Sequence, residues 1–215
     1  SNAFLIQKLI DANFNIAGKA NLSEWANFRS ENSVSGWSSK GGQTTHVLNS
    51  KYNPCGSSSG SAVAVASGLV DISIGTETNG SISCPSSING IIGFKPTVGL
   101  VSRSGIIPIS SSQDTAGPMG KTLEIVAKTL EVISGYDPND KATSYIPEDF
   151  NFNFMGVTDN RRLDGIRFGL LNADNQHPQV IEFHNEIKAV VKKLGGEVVD
   201  IKDDRIYPDE AEYFI

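Results

Sequence analysis

Two serines in glycine-rich turns are the residues best suited to chemistry in this chain of 215 residues. Ser57 lies in residues 56–60 (GSSSG), and Ser81 closes residues 78–81 (TNGS). Glycine beside serine lets the backbone approach a ligand closely, and consecutive N–H groups in such a turn can all point at one developing negative charge. These segments, which we call the Ser57 turn and the Ser81 turn, therefore predict an acyl-transfer site without a histidine nearby.

A second interpretation of the first turn stays open at this point. Residues 56–60 also match the G-x-S-x-G pattern of a hydrolase nucleophile elbow, with Ser58 as the nucleophile. Such an elbow follows a hydrophobic strand, whereas residues 49–54 are poor strand formers. Two histidines lie downstream, so the pattern is disfavoured but not eliminated.

The histidines do not predict a metal site. A zinc site requires ligands at characteristic spacings, and the three histidines of this chain share none. We therefore expect solvated or packed imidazoles, and no metal, at His46, His177 and His184.

Several motifs, in order and correctly spaced, resemble the amidase signature family. Residues 56–61 (GSSSGS) match its first glycine- and serine-rich turn, and residues 75–82 (GTETNGSI) match its nucleophile turn. Residues 93–97 (GFKPT) match the segment that follows. Ser57 and Ser81 are separated by 24 positions, which is the spacing of that family.

The resemblance implies a Ser-Ser-Lys triad. Ser81 would be the nucleophile that attacks an amide carbonyl. Ser57, entered through a cis peptide bond, would bridge Ser81 to a neutral lysine. Residues 20–26 and 54–56 are most similar to the peptide-amidase branch of the family.

The resemblance also implies the groups that surround the nucleophile. Backbone N–H groups would form an oxyanion hole, which stabilises the charge of the tetrahedral intermediate. Ser58 and Asp114 would support the serines through hydrogen bonds. The residues of the expected oxyanion hole are Thr78, Asn79, Gly80 and Ser81.

The lysine of the triad has no counterpart in this sequence. A serine hydroxyl is a weak nucleophile until a base removes its proton, and a lysine can do this near pH 7 only if its pKa is lowered. The family's lysine lies farther upstream of the first serine turn than this chain extends, and Lys19 and Lys95 match non-catalytic family segments. We therefore expect a fragment of a longer amidase, which lacks the lysine region and the C-terminal part and is inactive or weakly active.

The pattern of hydrophobic residues predicts an α/β fold. The last strand, helix and strand form a β-α-β unit, which implies parallel pairing with a right-handed crossover. Together with the resemblance, this predicts a mixed, mostly parallel twisted sheet covered by helices. Helices are expected at residues 4–13, 61–69, 123–134 and 179–194, and strands at residues 70–75, 91–94, 166–171 and 197–201.

We expect one domain over most of the chain. Residues 1–3 (SNA) resemble the remnant of a removed tag, and residues 4–215 are expected to form a single, partial domain. Residues 137–164 are polar with weak periodicity, so they are expected to be a linker or a surface excursion. Residues 207–215 begin a further helical pattern, which suggests that the chain is cut at this end.

Composition limits the partners and the compartment. The net charge of −6 and the pI near 5.1 argue against a nucleic-acid or anionic-membrane surface, and no apolar run approaches the length of a membrane span. Cys55 and Cys84 are too few for a disulfide framework, so reduced thiols in the cytoplasm are expected. The expected partner is a small-molecule or peptide amide, with no cofactor, and a homodimer is the oligomer that we consider.

Three functional hypotheses remain. The first is hydrolysis of a carboxamide C–N bond through an acyl-enzyme on Ser81. The second is a catalytically silent fragment, structural or amide-binding, which the absent lysine favours. The third is the A subunit of a tRNA-dependent amidotransferase, which shares the serine motifs but needs a tRNA surface that the acidic composition does not favour.

Overall fold

The structure is a computed structural model that describes residues 2–158, 162–171 and 177–201. The chain divides into two compact units, Ser1–Thr158 and Asp159–Ile215, which are described separately below. The boundary falls inside residues 137–164, the segment expected to be linker-like, and the single-domain organisation stays a prediction. In the described ranges, no helix combines the length and the apolar character needed to cross a membrane.

The first unit contains short helices around a small sheet. Its helices are α1 (Phe4–Asp11), α2 (Ser59–Ala66), α3 (Ser83–Ile88), α4 (Leu123–Ile133) and α5 (Met155–Thr158), with 3₁₀ turns at Glu24–Asn27 and Lys141–Tyr145. Its strands are β1 (Trp37–Ser38), β2 (Gly42–Gln43), β3 (Ile72–Glu77), β4 (Ile92–Gly93) and β5 (Thr115–Gly120). The helices and strands expected from the hydrophobic pattern are present, with ends shifted by one to three residues.

The sheet of the first unit has the order β3-β5-β4, and both of its pairings are antiparallel. The α/β class is therefore confirmed, but the expectation of mostly parallel pairing is wrong for this sheet. β3 and β4 run in the same direction, joined through α3, and β5 inserts between them in the opposite direction. The sequence did not predict β5, because TAGPMG contains two glycines and a proline, which strands usually avoid.

The core of the first unit lies between α1, α4 and the sheet. Leu5 and Leu9 of α1 pack with Leu130 and Ile133 of α4, and all four side chains are at most 4% exposed. A second, smaller cluster joins α2 to the sheet, where Met119 of β5 is completely buried. These two clusters support β3 and β5, whose ends carry the site residues.

The second unit contains the expected β-α-β pattern. β6 (Arg167–Leu171) pairs in parallel with β7 (Glu197–Ile201), with Phe168 opposite Val198. α6 (Pro178–Lys193) lies between the two strands in sequence, and the Nδ1 atom of His177 caps it by accepting from the N–H of Gln179 at 3.3 Å. Parallel pairing is therefore confirmed for this unit. The helical pattern expected at residues 207–215 lies outside the described residues.

Candidate active site

The Ser81 turn begins where β3 ends, and a buried carboxylate holds it there. Glu77, the last residue of β3, is 6% exposed. Its Oε2 atom accepts from the backbone N–H groups of Ile82 and Ser83, both at 2.8 Å. Burial acts to raise the pKa of Glu77, but the N–H donors of Ser83, Ile82 and Gly80 outweigh it and keep the pKa below its usual value. Glu77 is therefore an anion that fixes the entry to α3.

Lys95 holds the same turn from outside. Its Nζ atom donates to the carbonyl oxygen of Thr78 at 2.9 Å and lies 3.9 Å from Oε1 of Glu77. A lysine that donates to a carbonyl beside a carboxylate serves as a cation and not as a base. Among the residues that the structure describes, no lysine lines the cavity described below, so the position of the base stays a prediction.

The Ser57 turn lies directly against the Ser81 turn. The peptide bond between Gly56 and Ser57 is cis, as the family resemblance implies. The side chain of Ser57 is 2% exposed, and its carbonyl oxygen accepts from the N–H of Ser23 at 3.0 Å. The next residue, Ser58, donates its N–H to the carbonyl oxygen of Ser81 at 3.1 Å. Two segments 24 residues apart in sequence are thereby joined.

Ser58 ties the Ser57 turn to β3. Its Oγ atom accepts from the N–H of Thr76 at 3.1 Å and donates to the carbonyl oxygen of Thr76 at 3.2 Å. A Cβ atom on Gly75 would lie 2.9 Å from this Oγ and 2.6 Å from Sδ of Met119, so only glycine fits there. Because both bonds of the Ser58 hydroxyl go to backbone, this geometry argues against the elbow interpretation with Ser58 as nucleophile.

Both predicted catalytic serines line one cavity of about 300 Å³. One side of the cavity is formed by the two serine turns, and another side is apolar. Its lining residues are Ser57, Thr76, Glu77, Thr78, Ser81, Arg103, Ser104, Ile106, Ile107, Pro108, Ile109, Ser111, Asp114, Thr115, Asn139 and Asp140.

The residues of the expected oxyanion hole divide into two pairs. Thr78 and Ser81 line the cavity, whereas Asn79 and Gly80 do not belong to its lining. Gly80 has φ +86°, and its N–H contributes to lowering the pKa of Glu77. The four-residue oxyanion hole therefore stays a prediction.

Asp114 joins the Ser81 turn to the apolar wall of the cavity. Its Oδ1 atom accepts from Oγ1 of Thr78 at 2.5 Å. Its Oδ2 atom accepts from the N–H groups of Ile109 and Ser110, at 2.7 and 2.8 Å. This residue was expected to support the serines directly, and the structure instead places it between the Ser81 turn and the wall.

A charge pair that sequence reasoning missed lies at another part of the wall. Arg103 donates from Nε to Oδ2 of Asp140 at 2.9 Å and from Nη2 to Oδ1 at 2.8 Å, and its Nη1 donates to the carbonyl oxygen of Ser111 at 2.6 Å. Such a bidentate pair is among the stronger interactions of charged side chains. The hydrogen bonds from Arg103 outweigh the effect of burial and lower the pKa of Asp140 to about 2.

The two cysteines correct an expectation from the sequence. Cys55 and Cys84 form a disulfide, with their Cα atoms 5.9 Å apart, and are not reduced thiols. They are 29 residues apart in sequence and meet because the two serine turns meet. Only the pairing of the turns could have indicated the bond, and two cysteines in a sequence do not contain that information.

The histidines are engaged with backbone groups. His46 is 7% exposed; its Nε2 atom lies 2.9 Å from the carbonyl oxygen of Ile88, and its Nδ1 atom accepts from the N–H of Leu48 at 3.2 Å. Across the described part of the chain, no three histidine, cysteine, aspartate or glutamate side chains are grouped as metal ligands.

Comparison with known proteins places these features in context. The profile of the Amidase family matches residues 1–212. A relative from Arabidopsis thaliana, named a probable amidase, is 42% identical over 189 residues, which are 85% of this chain and 35% of that protein. The chain spans about a third of the length of the curated amidases that it matches.

Two solved structures are similar in fold. The native peptide amidase from Stenotrophomonas maltophilia is 48% identical, with a TM-score of 0.87 over 94% of this chain and 42% of that chain. The glutamyl-tRNA(Gln) amidotransferase of Thermotoga maritima contains an amidase-like polypeptide that is 33% identical, with a TM-score of 0.77 over 94% of this chain and 43% of that chain.

Proposed function

Because the chain belongs to the amidase signature family, we propose that the protein hydrolyses a carboxamide C–N bond through an acyl-enzyme on Ser81. The observation that supports this proposal best is the arrangement of the two serine turns. Ser57 and Ser81 line one cavity, and the Ser58 N–H bonds to the Ser81 carbonyl oxygen. The reaction is a hydrolysis, and it calls for no metal or organic cofactor.

The proposed reaction has two halves. Oγ of Ser81 attacks the amide carbonyl carbon as its proton passes to Ser57, and Ser57 passes a proton to the base. The backbone N–H groups of residues 78–81 stabilise the oxyanion that forms, and losing one such donor typically costs about 2.7–4 kcal/mol in the transition state. Collapse expels ammonia or an amine, which takes up a proton, and leaves an ester on Ser81. Water, deprotonated by the same relay, then hydrolyses this ester and releases the carboxylate.

The base in this proposal is a neutral lysine. Lys95 does not qualify, since its Nζ atom donates to the carbonyl oxygen of Thr78 and lies beside Glu77. Lys19 lies in an exposed segment. We therefore assign the base to a lysine outside these 215 residues. The 215-residue chain alone should then acylate weakly or not at all.

Three residues are assigned positioning roles. Ser58 anchors the Ser57 turn to β3 through Thr76, and Glu77 anchors the Ser81 turn to α3. Asp114 connects Thr78 to the cavity wall. None of the three has to exchange a proton with the substrate.

We propose a peptide amide, or a small amide with an apolar group, as the substrate. The solved structure of the peptide amidase from Stenotrophomonas maltophilia is more similar, at 48% identity, than that of the amidotransferase, at 33%. The wall formed by Ile106, Ile107, Pro108 and Ile109 offers an apolar surface to such a group. A homodimer stays a prediction, and the disulfide argues against the expected cytoplasmic location, because disulfides persist mainly in oxidising compartments.

Labelling with a fluorophosphonate tests the nucleophile. The reagent is applied to the full gene product that contains these residues and, in parallel, to the 215-residue chain, and the modified serine is identified by mass spectrometry. We expect Ser81 to be labelled rapidly in the full product and weakly or not at all in the short chain. Ser81→Ala should abolish labelling, and Ser57→Ala should slow it by about 10²–10⁴-fold, as expected for loss of a proton relay.

Two controls separate this proposal from its alternatives. Ser67→Ala changes an exposed serine at the end of α2, whose Oγ donates to the carbonyl oxygen of Ala64, and it should be labelled at the wild-type rate. The full product should also release ammonia from a peptide amide without added protein or tRNA. Equal labelling of the two lengths would contradict the missing base, and no labelling of either would favour the silent fragment. Release that requires partner proteins would favour the amidotransferase.

A further inference from the structure

We infer that the Cys55–Cys84 disulfide is a positioning element of the amidase site, and that reducing it with a thiol suppresses acyl transfer by Ser81. This inference rests on the function proposed above and deepens it. It assigns a role to the one covalent link that the structure shows between the two serine turns.

The disulfide lies beside both catalytic serines in sequence. Cys55 lies two residues before Ser57 and directly before the cis peptide bond, and Cys84 lies three residues after Ser81. The N–H of Cys84 donates to the carbonyl oxygen of Gly80 at 2.8 Å, so this half-cystine is bound to the residue just before the nucleophile. A shift of either cysteine is therefore transmitted over one or two residues to a reacting group.

Cys55 has a backbone conformation that needs support. Its φ is +57°, in the left-handed region that residues with a Cβ atom disfavour. Its N–H donates to Oδ1 of Asn53 at 2.8 Å, and its carbonyl oxygen accepts from Oγ of Ser59. The disulfide adds the only covalent restraint on this residue apart from the chain itself, so reduction lets Cys55 relax toward ordinary backbone angles.

The remaining ties between the same segments are hydrogen bonds. Ser58 N–H donates to the Ser81 carbonyl oxygen at 3.1 Å, and Nδ2 of Asn89, at the end of α3, donates to the carbonyl oxygen of Pro54 at 2.9 Å. These bonds can keep the segments in contact after reduction, but they leave more freedom in the distance between the serines. A misplacement of about 1 Å at a reacting group can cost about 10²-fold in rate.

A small thiol can reach the bond. Both half-cystines are partly exposed. A thiolate attacks one sulfur and forms a mixed disulfide, and a second thiol releases the other cysteine. The sum is one protein disulfide and two thiols giving two cysteine thiols and one disulfide of the reductant, so protons and electrons balance.

The effect should fall on kcat more than on KM. The cavity wall that would hold the substrate, residues 106–109, is tied to Asp114 and lies outside the loop that the disulfide closes. The spacing of Ser57 and Ser81 governs the chemical steps. Reduction should therefore leave substrate binding largely intact while slowing acylation.

The test compares the full gene product in oxidised form, after dithiothreitol, and as the Cys55→Ser/Cys84→Ser double variant. Oxidised wild type should show amidase turnover and labelling of Ser81 by a fluorophosphonate. After reduction, with two free thiols counted by mass, kcat and the labelling rate should fall at least about tenfold, with KM changed less than about twofold. Reoxidation should restore both rates.

The double variant is the matched control, because it should be slow from the start and unaffected by dithiothreitol. If it fails to fold, the comparison of reduced and oxidised wild type still decides, with far-UV circular dichroism and the thermal midpoint recorded on the same samples. Full kcat in reduced wild type would overturn the inference, as would full kcat in the double variant or a loss of rate that only follows unfolding. An oxidised protein that neither turns over nor labels would instead overturn the proposed function, and this inference with it.

Discussion

The backbone N–H of Ser58 donates to the carbonyl oxygen of Ser81 at 3.1 Å. This bond joins the start of α2 to the turn before α3. It lies beside the Cys55–Cys84 disulfide and next to the cavity that both serines line. The two turns are thus one structural unit, built from segments that the chain places far apart, and the predictions below concern the groups that hold this unit in shape.

Glu77 should matter for stability at acidic pH. Its pKa is lowered in the folded state, so it stabilises the fold fully above its unfolded pKa, near 4.3, and this contribution is lost as the pH falls through the folded pKa. Glu77→Gln removes the charge and turns one acceptor oxygen into a donor that faces backbone N–H groups. We expect a loss of about 1–3 kcal/mol at pH 7, measured by urea denaturation. The variant should also lose most of the pH dependence of wild type below pH 4.3, and an unchanged profile would contradict the assignment.

Asp114 should couple the Ser81 turn to the cavity wall. Asp114→Asn can keep all three hydrogen bonds, with its oxygen toward Ile109 and Ser110 and its NH₂ toward Oγ1 of Thr78, so it loses only the charge. Asp114→Ala leaves those donors without a partner. We expect Asp114→Ala to reduce kcat/KM of the full gene product by about 10–100-fold, the equivalent of about 1–3 kcal/mol, and Asp114→Asn to reduce it less.

Thr78→Val provides the comparison for Asp114. It removes only the hydroxyl that donates to Asp114 and keeps the backbone N–H of residue 78. If Asp114 acts through the turn, Thr78→Val should lower kcat as Asp114→Ala does. A wild-type kcat in Thr78→Val, with KM raised only in Asp114→Ala, would show that Asp114 acts on the wall alone.

The Arg103–Asp140 pair should require the guanidinium geometry. Lys cannot reproduce the two parallel bonds to a carboxylate, so Arg103→Lys should destabilise the protein by about 1–2 kcal/mol although it keeps the charge. The pKa of Asp140 is lowered to about 2, so its contribution is complete above about pH 4 and is lost as the pH falls toward 2. Chemical denaturation at pH 7 and pH 3 measures both effects. Arg29→Lys, at an exposed pair with Glu24, is the control and should cost less than about 1 kcal/mol.

The disulfide should stabilise the fold apart from its role in the site. Closing a loop of this size restricts the unfolded chain, and the two cysteines are 29 residues apart. The chain-entropy relation predicts a loss of about 3–4 kcal/mol in the double variant Cys55→Ser/Cys84→Ser. Denaturation of oxidised wild type and of the variant tests this value. A difference near zero would indicate that the hydrogen bonds of Ser58 and Asn89 hold the two segments without it.

Local patterns in the sequence were sufficient for part of this description. Glycine beside serine at positions 56–60 and 78–81 indicated the two turns and their spacing, because such motifs concern a few adjacent residues. The helix α4 and the β-α-β unit of the second part were likewise predicted, since hydrophobic periodicity reports which face of an element is buried. The family, and from it the two serines proposed for catalysis, followed from these motifs.

The tertiary structure alone decided the contacts between distant segments. β5 was invisible in the sequence, because TAGPMG has a weak strand tendency and is held in place by its neighbours β3 and β4. The bond from Thr78 to Asp114 joins residues 36 positions apart, the pair Arg103–Asp140 joins residues 37 apart, and the disulfide joins residues 29 apart. No periodicity or propensity encodes such partners, because each depends on where the whole chain turns back. The sequence therefore determined which residues can perform the chemistry, and packing decided which residues hold them together.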